Sequence, residues 1–425
     1  MDKKCVIEVG KSLLIAALTC SALWLAAQSP LLGQLPGVLE GRRPEQTQTG
    51  EQAGHSGSVA VPLRMAVMNA GGCCAVQYTQ QLQSLFSRVA PVLGEVLSAA
   101  GTPEQVDRAR WEAALVTAPG AYFDFQTGVP FPVLTGWLSD RSNPRLTDAA
   151  RHMLLSGGEQ GVQLYYRSAR DGAFYVCSAP SVSADYLKTI TEQEEANGAI
   201  FAYQSVHYER IAPDTLIDAQ TPTPRMFSVS LPLMQEEGRL EELLDRLSFP
   251  VGITTVYETP EGRRARSGND TLTILNNGTV VYDGEEDRYG VAPGETPLVS
   301  AVESARELVC GVLEPWCGQA RVYLSGIEGL GQDSWRICFG YALDNIPVRV
   351  GEGGYAAQVL VEQGYIRELE LRLRTYTAQD STTLLLPARQ AAAILADGDR
   401  QGSALELCYQ EHGDTAIAGW IAGEQ

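Results

Sequence analysis

The chain has 425 residues, 44% of them hydrophobic, and carries 51 acidic against 32 basic side chains for a net charge of −19. That length accommodates two or three domains, so core volume is not limiting. So acidic a surface repels phosphate backbones and excludes nucleic acid as the expected partner.

Residues 12–32 hold no charged side chain, and at about 1.5 Å per residue they reach roughly 30 Å, the hydrocarbon thickness of a bilayer. This predicts one spanning helix. Lys3, Lys4 and Lys11 precede it and Arg42 and Arg43 follow, so 1–11 reads as a cytoplasmic tail and the bulk of the chain as extracytoplasmic. Two alternatives compete: signal cleavage after Leu25-Ala26-Ala27, and lipidation of Cys20, for which Ala17-Leu18-Thr19 is a poor lead-in. Within the span, Ala16 and Cys20, Ala17 and Ser21, and Ala22 and Ala26 are small residues four apart, a candidate face for close packing on another helix in lipid. Residues 33–58 are polar, rich in Gly, Gln, Glu and Thr, and read as a flexible stalk.

A first globular region is expected over 59–225. A helix over 77–99 presents Leu82, Leu85, Phe86, Val89, Leu93, Val96 and Leu97 at helical spacing, with Pro91 as a kink. Thr102-Pro103-Glu104-Gln105 has the form of a capping box and predicts a helix to Leu115; another is predicted over 146–155. "GAYFDF" and the stretches 162–168 and 173–179 read as strands, the last two joined at Asp171-Gly172. Ser183 caps a helix over 184–195, and "TPTPR" at 221–225 marks a boundary.

The region 226–425 opens with a helix over 239–247. Strands follow at 253–258 and on both sides of Asn277-Gly278 within 271–283, a turn that sets Leu275 against Val280 and Ile274 against Val281. A helix over 298–313 presents Val302, Ala305, Val309 and Val312. Strands are expected at 321–327 and 334–343, and a hairpin about Gln363-Gly364 with Leu369, Leu371 and Leu373 on one face and Glu370, Arg372 and Arg374 on the other. Pro387 opens a helix through Leu395, and a strand over 404–409 follows. Helix, strand and Gly-turned hairpin thus recur over 239–282 and 298–374. The fold class is α+β: mixed α/β domains with antiparallel sheets covered by helices, and a duplicated unit, 226–296 and 297–425, in the second half.

The search for chemistry returns no catalytic, cofactor or metal residues. His55 falls in the stalk, and His152, His207 and His412 are isolated, which favours structural or surface roles. No G-x-S-x-G, S-x-x-K or P-loop is present, and the glycines of "SGIEGLGQD" have the wrong spacing for a dinucleotide. Glu285-Glu286-Asp287 lacks the alternating oxygens of a calcium loop and reads as a solvated turn. Arg263, Arg264 and Arg266 after Pro260 form a basic loop, either a polar hairpin tip or a docking site for an acidic partner. Nine cysteines fix no framework: seven lie beyond the span, Cys73-Cys74 has no CxxC companion, and Cys310 and Cys317 read as buried thiols before a bridge. The pattern points to binding, with a surface-anchored, cell-wall-associated enzyme or ligand-binding receptor as the alternative.

Four segments resemble the YycH/YycI family, membrane-anchored extracytoplasmic regulators of the WalK-type sensor histidine kinase. "WRICFGYALDNIPVRV" is similar to its strand and Ile-Pro-Val turn, "AAQVLVEQGYIRELELRLRTY" to its next hairpin, "LLPARQAAAIL" to its helix and "AIAGWIAG" to its terminal Trp-containing segment. The helix-rich first half suits YycH better than the shorter YycI. The resemblance implies a non-enzymatic protein whose partners are the membrane and a sensor kinase or a paralogous regulator, with cell-wall homeostasis as the regulated process. It brings no catalytic residue to carry over.

Overall fold

A computed structural model describes residues 60–234, 238–249, 252–285, 287–294, 296–351, 353–396 and 402–423. The span 12–32, with Ala16, Ala17, Cys20, Ser21, Ala22 and Ala26, and the stalk 33–58 lie outside these residues. Among the described residues no helix is long and apolar enough to cross a membrane. They form a mixed α/β structure of seven helices and two large, mainly antiparallel sheets.

The first sheet comprises β1 (Arg64–Asn69), β2 (Gly72–Gln77), β3 (Glu104–Val106), β4 (Gly120–Pro130), β5 (Ala149–Gly158), β6 (Gly161–Ser168) and β7 (Phe174–Ala179). Their order is β2-β1-β4-β5-β6-β7-β3, antiparallel throughout. Helix α1 (Gln81–Ala99) packs its Leu82, Leu85, Phe86, Val89, Leu93, Val96 and Leu97 onto one face, with α3 (Phe131–Leu138) and α4 (Ala184–Thr191) beside it. There Phe86 meets Phe123 edge-on at 6.2 Å between ring centroids. The opposite face is covered by Trp111 and Leu115 of α2 (Arg108–Leu115) and by Phe201 and Leu216. Phe201 and Leu216 belong to the two-stranded pair β8 (Ile200–Phe201) and β9 (Leu216–Ile217).

Burial on both faces explains two departures from the sequence reading. The expected helix over 146–155 is instead strand β5, paired on both sides. A strand covered on both faces is a continuous apolar run, and over a short stretch its periodicity does not separate it from a helix. The expected capping box at Thr102 is absent too: Glu104–Val106 pairs with β7, and α2 starts later, capped by Asp107, whose carboxylate accepts from the Arg110 amide at 2.8 Å. Ser183 does cap α4, accepting from the Asp185 amide at 3.2 Å.

The second sheet is built from β10 (Arg225–Ser230), β11 (Thr255–Thr259), β12 (Gly262–Ser267), β13 (Asp270–Leu275), β14 (Thr279–Asp283), β15 (Arg321–Gly331), β16 (Ser334–Leu343), β17 (Ile346–Arg349), β18 (Ala357–Glu362), β19 (Tyr365–Arg372), β20 (Thr375–Thr382), β21 (Ala404–His412) and β22 (Thr415–Gly423). It runs β11-β12-β13-β14-β19-β18-β16-β17-β21-β22-β10-β20, with β15 on the other side of β16 and only β17–β21 parallel. Helix α5 (Arg239–Arg246) packs on α6 (Pro297–Leu313), which covers β16, β18 and β19; α7 (Ala388–Ala396) lies on β21 and β22. Val302, Ala305, Val309 and Val312 of α6 are buried as the spacing predicted. The β18–β19 hairpin turns at Gln363 and Gly364, both left-handed (φ 52° and 81°), the conformation a two-residue turn requires.

The β13–β14 hairpin differs from expectation by one residue. Ile274 pairs Val280 and Thr273 pairs Val281, so the loop holds three residues, Asn276 to Gly278, with Gly278 at φ 79°. A third loop residue at the left-handed position converts the two-residue turn into a bulged one and moves the register. Arg263, Arg264 and Arg266 are likewise not a hairpin tip. They lie on β12, and the tip is Pro260-Glu261.

Candidate functional site

Where the two sheets meet, charged residues sit inside otherwise apolar strands. Arg64 opens β1, Asp124 is in β4, Arg151 and His152 are in β5 and Glu406 is in β21; Asp214 precedes β9. Arg64, Asp124 and His152 are register partners across three neighbouring strands. Arg151 would face the opposite side in a regular strand, but between Ala150 and Met153 the β5–β6 register slips by one residue. This bulge lets consecutive side chains, Arg151 and His152, reach the same cluster.

Asp124 is the hub. Its carboxylate receives Arg64 Nε at 3.2 Å, Arg151 Nε at 3.0 Å, His152 Nε2 at 3.5 Å and the Gln126 amide at 2.8 Å. Glu406, 1% exposed, pairs with Arg151 Nη2, with Arg64 Nη2 at 3.3 Å and with Gln126 Nε2 at 3.3 Å. His152 Nδ1 faces Asp214 Oδ2 at 2.9 Å. Gln126 holds φ 65°, a conformation uncommon for a residue with a Cβ, as β4 departs from β5 past Asp124. That conformation carries its side chain to Glu406.

Electrostatics follow from this enclosure. Burial works against the charged form of Asp124, yet Arg151, Arg64 and His152 outweigh it and hold the carboxyl well below the usual range. Asp214 is buried as well, and His152 brings it down to about 2. For His152 burial opposes the proton, while Asp214 and then Asp124 prevail and raise its pKa. Three carboxylates thus face two guanidiniums and the His152 ring, whose protonated form they favour.

A second fastening flanks the first. At the β16–β17 turn, Asp344 and Asn345 take left-handed φ of 50° and 62°. Asp344 receives a two-pronged contact from Arg225, Nε at 3.1 Å and Nη2 at 2.9 Å. Asn345 accepts from Arg321 Nη2 at 2.9 Å and donates Nδ2 to the Thr79 carbonyl at 2.7 Å. Arg321 also donates to the Val61 and Pro62 carbonyls, and burial lowers its pKa to about 10. The Asp-Asn-Ile-Pro-Val turn therefore ties the start of the first sheet to the second.

Beside the network an open groove of about 490 Å³ runs between the sheets, lined among others by Gln126, Arg151, Tyr323, Arg349, Tyr355 and Glu406. A smaller cleft of about 190 Å³, with Trp111 stacked on Phe174 at 5.3 Å, lies at the far end of the network, where Asp214 reaches its wall. Both ring nitrogens of His152 face carboxylates, and each carboxylate of the network is in an ion pair; this arrangement clasps two sheets and offers a recess. Among the described residues no group of three or more His, Cys, Asp or Glu is placed to hold a metal ion.

The other candidates disperse. His207 and His412 are exposed, and Asp287 pairs with Arg367 at 3.0 Å. Burial pushes the thiols of Cys73, Cys177, Cys310 and Cys317 up to about 12, so all four are weak nucleophiles. The network was missed in the sequence, although it left one signal: a lone charge inside each apolar strand of "RMAVMN", "AYFDFQ" and "ALELCY", where a charge is buried only if paired.

No protein-family model matches the chain, and no curated protein matches its sequence. Among solved structures it is similar to the crystal structure of YycH from Bacillus subtilis, with a TM-score of 0.56 and 12% identity over 91% of this chain and 98% of that one. The chain has a YycH-like fold.

Proposed function

We propose that this chain is a non-enzymatic, membrane-anchored regulatory protein, its bulk extracytoplasmic, that binds and modulates a two-component sensor kinase controlling cell-wall homeostasis. The likeness to YycH along nearly the whole of both chains supports the reading. The test is to reconstitute the full chain with the sensor kinase of its own membrane in nanodiscs and measure autophosphorylation. Co-elution with an altered rate is expected; separate elution with an unaltered rate overturns the proposal.

The face Ala16, Ala17, Cys20, Ser21, Ala22 and Ala26 is part of the same proposal, as a contact between spanning helices. Replacing 12–32 by an unrelated span of equal length should weaken co-elution. We propose also that 59–225 and 226–425 are separate domains, the second of two similar subunits; expression of 226–425 as a folded fragment tests this. The groove supports a second reading, a ligand-binding receptor, because its volume falls in the range of small-molecule sites. Saturable binding of a wall fragment, lost on Arg349→Ala, would favour it.

A further inference from the structure

The strand edges of the molecule are not treated alike. Along β2, the Asn197 side chain accepts from the Ala75 amide at 3.1 Å and donates to the Ala75 carbonyl at 2.7 Å, standing in for a neighbouring strand. Along β20, Gln319 does the same work: its backbone N–H donates to the Tyr376 carbonyl at 3.0 Å and its side-chain oxygen accepts from the Ala378 amide at 2.7 Å. An uncovered edge is a template for another chain, and these amide plugs close it. Among the described residues nothing pairs with the outer edge of β11.

That edge is also apolar and asymmetrically charged. Val256 is 42% exposed, Tyr257 44% and the preceding Ile253 74%. The register places Val256, Ala265, Leu272 and Tyr282 in one lateral row, and the last three are fully buried. The core row therefore ends in the open at Val256. On the opposite face the rows are Tyr257–Arg264–Thr273 and Thr255–Arg266–Thr271. Arg264 is exposed and among the described residues meets no carboxylate, and Arg266 bonds among them only to the Gly268 carbonyl, at 3.1 Å. Arg263 is on the core-side face and is taken by Glu258 at 2.9 Å.

We infer that β11 is a docking edge for an extended segment of a partner protein, added as a further strand, in which apolar and acidic residues alternate. The apolar side chains continue the core row past Val256. The acidic ones lie on the other face, toward Arg264 and Arg266, which stand two strand spacings, about 9.6 Å, from the added strand beyond Tyr257 and Thr255, a gap that an arginine and a glutamate side chain close between them. A second copy of this chain fits badly. Pairing β11 with β11 would gather four arginines on one face, and the strand's one acid, Glu258, points to the other and is already paired. The inference concerns the chemistry of the occupant and goes beyond the kinase reading.

The test uses the full chain in detergent micelles and two fluorescein-labelled peptides, one alternating valine with glutamate, the other valine with lysine. The acidic peptide should bind, slow amide exchange in β11, and lose affinity about tenfold on Arg264→Glu and on Val256→Lys, a gatekeeper charge on an edge. Val256 is exposed, so both variants should melt like the parent; a second pair, Arg264→Gln and Val256→Thr, serves if they do not. Equal binding of the two peptides, binding without protection of β11, or self-association abolished by Val256→Lys would each overturn the inference.

Discussion

Two arginine–glutamate pairs, Arg151–Glu406 at the sheet junction and Arg263–Glu258 at the β11 end, share their chemistry and differ in surroundings. The side chains of the first are 13% and 1% exposed, those of the second 48% and 76%. In the junction the charges have left water and are held by one another, so removing one strands the rest in a medium that cannot solvate them. At β11 water already serves both partners, and the pair adds little to what hydration supplies. Charge therefore fastens the molecule at one end and remains available to a partner at the other.

The contrast is broken most directly at Asp124. Asp124→Asn keeps the shape and leaves Arg64, Arg151 and His152 with one carboxylate fewer, at an expected cost of about 3–5 kcal/mol in urea unfolding. A loss under about 1 kcal/mol would place the junction with ordinary surface pairs. Gly423 gives the next effect. A Cβ there would stand 2.3 Å from Glu406 Cδ and 2.4 Å from Oε1, so Gly423→Ala displaces the carboxylate and should cost about 1–3 kcal/mol. Combined with Glu406→Ala, the same substitution should cost almost nothing more, a coupling that a double-mutant cycle reads out.

A single proton moves less than either substitution but sharpens the comparison by its direction. His152 holds its proton more tightly folded than unfolded, because Asp214 and Asp124 outweigh burial. Its contribution is complete below its ordinary pKa of 6.5 and is lost as pH rises through the elevated folded value. Asp124 and Asp214 run the other way: present above 3.8 and lost as pH falls, for Asp214 through about 2. Urea midpoints should fall on the alkaline side of 6.5, and His152→Gln should flatten that limb while leaving the acid limb from Asp124. Parallel alkaline limbs in the two proteins would mean that His152 titrates as it does unfolded.

How much of this could be read beforehand follows the same division between exposed and buried. The Gln363-Gly364 hairpin and the split of Leu369, Leu371 and Leu373 from Glu370 and Arg372 were legible because alternation records which face of β19 is buried; the other face is only partly wet, with Glu368 exposed and Glu370 and Arg372 30% and 12% exposed. β5 was not legible, because both of its faces are covered and Leu146, Ala149, Ala150, Met153 and Leu154 also satisfy a helical spacing. That error concealed the site as well. Read as a helix, 146–155 sends Arg151 and His152 to solvent, and only as a bulged strand does it bring them to Asp124. Glu406 lies some 280 positions from Gln126 in sequence, and no local pattern links residues so far apart.

The smallest effect completes the comparison from the exposed side. Arg263→Ala removes a pair that is half to three-quarters in water, and the expected change in stability is within about 1 kcal/mol, near zero at high salt. The residue nevertheless holds Glu258, the acid of the β11 edge strand. With Arg263 gone, Glu258 is free on the core-side face of the row where an apolar partner residue is expected, and its unpaired charge disfavours that neighbour. Arg263→Ala should therefore leave the urea midpoint nearly unchanged and weaken the acidic peptide at β11, the inverse of Asp124→Asn, which should lower stability without a direct effect on the edge. If Arg263→Ala instead unfolds the chain as readily as Asp124→Asn, the β11 end is fastened by charge like the junction, and the distinction between the two regions fails.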